Sequence, residues 1–225
     1  MRSKLSIAID GPAGSGKSTV ARRVAEILGI LYLDTGAMYR AVTLKALQDG
    51  IYLDDHEKLT ALANQVELKF KKMSDGAYQL FMDGKNINEE ISSFVVTENV
   101  SQVAAVSGVR EALVQRQKQI GAESGVVMDG RDIGTVVLPH ADLKIFLTAS
   151  LEERAQRRWL ELKAKGINVS KQKISEDLKQ RDAFDSNREI SPLRPADDSI
   201  TIDTTGMSIE QVTEKIVNLS KHNQN

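Results

Sequence analysis

Cysteine is absent from the 225 residues. That excludes disulfides, thiolate catalysis and cysteine-ligated zinc, and it fits a reducing compartment. Aromatic residues make up only 4% of the chain, too few for a stacking platform on single-stranded nucleic acid. Charge of one sign is lacking as well. Thirty Lys and Arg stand against 31 Asp and Glu, a formal net charge of -1, so no global positive field favours a nucleic acid partner. No apolar run is long enough for a bilayer, and the first one closes at Asp10, too short for a signal peptide. His56, His140 and His222 are widely separated, with no metal-ligand spacing. The expectation is a soluble cytoplasmic protein, with no membrane and no nucleic acid among its partners.

Short apolar runs rich in Ile, Val and Leu are present at regular intervals: residues 5–9, 30–33, 125–128, 143–147 and 199–202. Segments of helical periodicity separate them, which predicts an α/β fold with a parallel sheet covered on both faces. Ser150 with Glu153, and Ser208 with Gln211, have capping-box spacing at two helix starts, and Gly166 is placed to stop the first of these helices. The second would set Ile209, Val212, Ile216 and Leu219 on one face, and the SKHNQN tail has nothing to bury. One region breaks the alternation. Val66, Leu68 and Phe70, then Tyr78, Leu80 and Met82, alternate with polar residues around the turn signals Ser74-Asp75-Gly76 and Asp83-Gly84. This predicts an antiparallel insert over residues 61–98 in a core formed by 1–60 and 99–225.

The stretch GPAGSGKS, Gly11 to Ser18, matches G-x-x-x-x-G-K-[ST] in full and sits between a predicted strand and a predicted helix. Glycines let successive backbone N–H groups turn inward around phosphate oxygens, and the helix that follows points its positive end at them. The expected nucleotide-holding set is Gly11, Pro12, Ala13, Gly14, Ser15, Gly16, Lys17, Ser18 and Thr19. Lys17 can reach the β- and γ-phosphates, and the Ser18 hydroxyl can take a magnesium coordination position.

The remaining charges decide what the nucleotide is for. In VVMDGRDIGT, Asp129 ends an apolar strand, where a carboxylate can orient magnesium; Arg131 and Asp132 follow at the edge where open parallel sheets bind ligands. Arg181, Asp185 and Arg188 fall at i, i+4 and i+7, one helix face. Arg154, Arg157 and Arg158, with Arg40 and Arg110, complete an unusual arginine supply. Bringing two anionic molecules together for phosphoryl transfer requires such cations, and guanidinium forks onto phosphate better than ammonium. Trp159, the single tryptophan, reads as ordinary packing.

Six stretches, DGPAGSGKST, YLDTGAMYRA, SQVAAVSGVREAL, MDGRDIGTVV, KIFLTAS and QRDAFDSNR, resemble the bacterial cytidylate kinases in order and across nearly the whole chain. The resemblance implies a P-loop fold in three layers, with a five-stranded parallel sheet of order 2-3-1-4-5, a monophosphate-binding insert and a helical lid around residues 157–170. It implies transfer of the γ-phosphoryl group of Mg-ATP to CMP or dCMP by a monomer. Carried over by motif, the acceptor site is Thr35, Tyr39, Arg40, Ser101, Arg110, Arg131, Asp132, Arg181, Asp185 and Arg188. Lys17, Arg131, Arg157 and Arg158 would share the stabilisation of the transferring group, and Ser18 and Asp129 would hold Mg2+.

Two other classes are open to the same loop. A different small-molecule kinase would use the same arginines on another acceptor. A GTPase-type switch needs N-K-x-D for guanine, which the chain lacks; its D-x-x-G, Asp203 to Gly206, follows the last predicted strand.

Overall fold

The computed structural model describes residues 5–74, 76 and 78–222, the last without its side chain. Asp75 of the first insert turn, the His222 side chain and the end of the SKHNQN tail lie outside the described residues. The chain divides into two compact units, one of Met1–Ile30 with Gly125–Asn225 and one of Leu31–Ser124.

In the first unit, β1 (Ser6–Asp10) is central. It pairs in parallel with β6 (Val126–Gly130) on one side and with β7 (Leu143–Thr148) on the other, and β7 pairs in parallel with β8 (Ile200–Asp203). Ile7, Ala8, Ile9, Val126, Val127 and Met128 are entirely buried, as continuous apolar runs covered on both faces should be. The helices are α1 (Lys17–Leu28), α6 (Leu151–Ala164), α7 (Lys171–Asn187) and α8 (Ile209–His222), of which α1 packs on α8 and α6 on α7. Ser208 and Gln211 form the full capping box, Ser208 Oγ accepting from the Gln211 N–H and Gln211 Oε1 from the Ser208 N–H. At the other start Ser150 Oγ accepts from the Glu153 N–H, but the Ser150 N–H donates to Thr205 Oγ1 rather than to Glu153. Val212 and Ile216 of the expected α8 face are buried, with Thr213, Val217 and Ser220 beside them, and Leu219 is half-buried. Ile209, in its first turn, is exposed.

The second unit holds β2 (Leu31–Asp34), α2 (Thr35–Gln48), α3 (His56–Gln65), α4 (Phe94–Val103) and α5 (Ser107–Glu123). Its antiparallel sheet has the order β3-β4-β5 over Leu68–Lys72, Tyr78–Met82 and Lys85–Asn86. Leu68 faces Met82 and Phe70 faces Leu80. Asp83 and Gly84 both take positive φ, 48° and 83°, in the two-residue link from β4 to β5, the primed turn that matches strand twist. The large sheet runs β2-β6-β1-β7-β8. The antiparallel strands occupy the third to fifth places in the chain, so the labels differ from 2-3-1-4-5; counted among the five strands of this sheet alone the order is the expected one, in the expected α/β class. No helix among the described residues is long and apolar enough to cross a membrane.

Two backbone features join strand ends in the first unit. A Cβ on Gly11 would lie 2.0 Å from the Leu147 carbonyl oxygen, so the chain leaves β1 pressed against the end of β7. Asp10, just before it, is buried, and its two carboxylate oxygens accept the Ile133 and Gly134 N–H groups at 2.8 Å each. Burial, aided by the nearby Asp132 charge, outweighs those bonds and Lys17 and pushes the Asp10 carboxyl up to about 6.

Gly11→Ala should lower stability by about 3 kcal/mol or more, because the obstacle is main chain and cannot rotate away; a shift in denaturant midpoint checks it. Asp10 gives a pH signature. Its folded pKa lies above its unfolded value, so its contribution is fully present below pH 4 and lost as pH rises through 6. Stability measured against Asp10→Asn from pH 4 to 7 should fall by about 3 kcal/mol in the native chain relative to the variant.

Candidate active site

The loop Gly11–Gly16 leads from β1 into α1, with Gly14 and Gly16 at φ 75° and 87°. Gly16 is the N-cap of α1; no side chain caps that end and no acid occupies its first turn. The main-chain N–H groups and dipole of this helix end are therefore directed at the loop, an anion-binding arrangement. Lys17 is buried and its Nζ donates to the Pro12 carbonyl at 3.1 Å. Ser15 is also buried, and Thr19 lies exposed on α1.

Ser18 Oγ donates to Asp129 Oδ2 at 2.7 Å. Asp129 is buried near the end of β6, beside Ile9 of β1 in register, so the strand-end position read from sequence does bring the two groups together. A hydroxyl and a carboxylate are hard oxygen donors that suit Mg2+, which keeps waters and phosphate oxygens as its other ligands. No cluster of three or more His, Cys, Asp or Glu able to cage a metal occurs among the described residues.

Beyond β6, Arg131 Nε donates to Asp185 Oδ2 at 2.8 Å, and Arg188 NH1 lies 4.0 Å from Asp185 Oδ1. Burial by itself would raise the Asp185 carboxyl, but the charges of Arg131, Arg181 and Arg188 outweigh it and hold the group below the usual carboxylate range. Arg188 is not on the helix as expected. α7 ends at Asn187, and Arg188 turns to extended backbone. The turn is fixed by the Leu193 N–H donating to the Asp185 carbonyl at 2.9 Å and by Arg188 NH2 donating to the Ser191 carbonyl. Asp132 is buried at the start of a single π-type turn, Ile133–Val137.

The arginines of α6 differ in environment. Arg157 donates from Nε to Glu153, from NH1 to the Ser15 carbonyl and Thr204 Oγ1, and from NH2 to the Thr204 carbonyl at 2.8 Å. Arg158 pairs with Glu161 at 2.7 Å on the exposed side. Arg154 is buried, with Nε on the Ala149 carbonyl and NH1 on the Ala13 carbonyl and Asp182. Trp159 packs against an apolar cluster of Ala13, Ala155, Leu162, Ile174 and Leu178, under the cations of Lys163 and Lys171 at 4.8 and 5.0 Å.

The other acceptor candidates belong to the second unit. Asp34 caps α2 by accepting from the Ala37 N–H at 2.9 Å, and its other oxygen pairs with Arg40 at 2.8 Å. Gly36 leaves room for this pair, since a Cβ there would meet Asp34 Oδ1 at 3.1 Å and Arg40 NH1 at 3.2 Å. Thr35 and Tyr39 are buried on α2. The buried Arg110 of α5 lies over the Tyr39 ring, 5.4 Å from its centroid, and donates to the Ala104 carbonyl. Ser101 is half-buried on α4.

Sequence reading gave no role to Asp10 or Asp182 and no specific one to Arg154; it placed Thr204 only within DTTGMS, the loop after the last strand, where the resemblance implies that adenine is held. The position of Asp10 at the end of an apolar strand is the same signal that singled out Asp129. Thr204 had no local signal.

A family model described as cytidylate kinase matches residues 7–222. The cytidylate kinase of Desulfitobacterium hafniense (strain Y51) is 51% identical over 219 residues, covering 97% of this chain and 94% of that protein. That of Alkaliphilus oremlandii (strain OhILAs) is 52% identical over 215 residues, covering 96% and 97%. Among solved structures, a gluconokinase from Sinorhizobium meliloti 1021 superposes with a TM-score of 0.50 at 13% identity, over 99% of this chain and 94% of that one, a likeness of fold alone. With a phosphate loop, a cluster of guanidinium groups beyond β6 and near-complete alignment at half identity all pointing one way, the chain belongs to the cytidylate kinase family.

Proposed function

We propose that the protein transfers the γ-phosphoryl group of Mg-ATP to CMP or dCMP, giving ADP and CDP or dCDP. The observation that carries this reading is the pairing of two anion sites on one sheet edge. The phosphate loop follows β1, and Arg131, with its Asp185–Arg188 cluster, follows the adjacent strand β6. A switch protein has use for the first alone; a kinase needs both.

Gly11 to Thr19 hold the donor's phosphates, with Lys17 on the β- and γ-oxygens. Ser18 and Asp129 would hold Mg2+, which would supply neutralisation of the phosphate charge there. Arg40, Arg131 and Arg188 clamp the acceptor phosphate. Cytosine presents an amino donor beside N3 and O2 acceptors, and Asp132 and Ser101 with Arg110 supply the complementary pattern. Arg181 and Asp185 take the sugar hydroxyls, and Thr35 and Tyr39 complete the acceptor site. The acceptor phosphate oxygen is itself the nucleophile. It bonds to the γ-phosphorus as the bond to the bridging oxygen breaks, so no covalent enzyme intermediate forms and catalysis is alignment and charge stabilisation. Arg157 and Arg158, in the lid at 157–170, exchange Ser15, Thr204 and Glu161 for phosphate oxygens when the lid closes. The insert at 61–98 moves with the acceptor, and the enzyme is a cytoplasmic monomer.

ADP release from ATP should rise about a hundredfold or more when CMP or dCMP is added. UMP, AMP and shikimate complete the panel, and preference for any of these would replace the acceptor named here. Alanine at Arg188 or Asp185 should cut kcat/KM for CMP by about a hundredfold while ATP affinity changes less than about threefold. Separate titration of the two nucleotides checks it, and equal losses would count against this acceptor assignment.

A further inference from the structure

Arg154 occupies an unusual position for a charged residue. It is buried at the first turn of α6, and its backbone is so close to the phosphate loop that a Cβ on Gly14 would lie 3.1 Å from the Arg154 Cβ. Its guanidinium spans two elements. NH1 donates to the Ala13 carbonyl, in the phosphate loop, at 3.0 Å and to Asp182 Oδ2, on α7, at 2.6 Å. Ala13 also belongs to the apolar cluster it shares with Ala155, Leu162, Ile174 and Leu178 of α6 and α7. A main-chain carbonyl at the centre of the donor loop is thus fastened, by one polar and one apolar contact, to the α6–α7 hairpin.

Asp182 stands between the residues of α7 that face the acceptor. It follows Arg181 directly and precedes Asp185 by one turn, and Asp185 in turn holds Arg131. Arg154 is buried and Asp182 half-buried, and removing Asp182 would leave the Arg154 charge uncompensated, so the pair resists separation and movement at one end is passed to the other. We propose that Arg154 and Asp182 are positioning residues that couple donor occupancy of the phosphate loop to the acceptor-binding end of α7. Neither side chain touches the reacting atoms. The inference rests on the kinase reading above.

Asp182→Asn, Arg154→Lys and the double variant test it, each compared with the native enzyme. Calorimetry measures a non-hydrolysable ATP analogue with and without CMP, and kinetics vary ATP and CMP separately. Each single variant should bind the analogue alone within about threefold of the native enzyme yet raise KM for CMP about tenfold. The tightening of the analogue by CMP should be lost, and the double variant should be no worse than the poorer single one. Asp182→Glu, which keeps the charge, should recover much of the CMP affinity, and Arg154→Lys alone carries the test of loss if Asp182→Asn melts well below the native enzyme. Unchanged KM for CMP, equal losses toward both nucleotides, or additive effects in the double variant would overturn the coupling. A native enzyme that binds the analogue but never CMP would instead sink the kinase reading.

Discussion

The end of β1 is where the first unit is decided. Gly11 lies against the Leu147 carbonyl of β7 at a separation no side chain tolerates, and Asp10 spans the other way to the amides of Ile133 and Gly134. Two successive residues thus fix the segment after β6 and the end of β7 with respect to one turn of chain. The phosphate loop departs from the end of β1, Arg131 and Asp132 from that of β6, and α6 from that of β7. A buried carboxylate is a costly way to hold a loop, as its raised pKa shows. Two N–H groups that would otherwise lie buried without an acceptor are the return.

A second constraint is that guanidinium groups gathered in one place repel one another. Asp185 answers it with one carboxylate facing three of them, and its depressed pKa records that their attraction outweighs the cost of its burial. The cluster keeps a net positive charge while its geometry is held, which is what preorganised stabilisation of an incoming anion requires. Arg40 is treated the same way in the second unit, where Asp34 both caps α2 and anchors the guanidinium.

What could be read from sequence was what local chemistry dictates. The phosphate loop, the strand-end Asp129, the alternating insert and both serine caps depend on neighbours a few residues away, and each has the expected conformation. The exceptions have distant causes. α7 stops before Arg188 because Leu193 and Ser191 bind back to it, which the regular i, i+4, i+7 spacing concealed. The outer turn of α8 is exposed despite its apolar residue, because burial depends on what the helix packs against. Arg154 looked like one more charge on a charged helix, since its carbonyl partner is 141 residues away, and Thr204 meets Ser15 from 189 residues away.

The donors of the first unit share a further property. Lys17 rests on the Pro12 carbonyl at 3.1 Å, Arg131 NH1 on the Gly130 carbonyl at 3.4 Å, and Arg157 NH1 on the Ser15 carbonyl at 3.3 Å. These are neutral acceptors at or beyond the long end of hydrogen-bond distances. The carboxylates of Asp185 and Glu153 hold the Nε groups of Arg131 and Arg157, while each of these carbonyl bonds is weaker than the charge-assisted bond a phosphate oxygen would make. Exchange is therefore favourable for an anionic ligand and unfavourable for a neutral one of the same shape, which would displace a carbonyl and offer no charge in return.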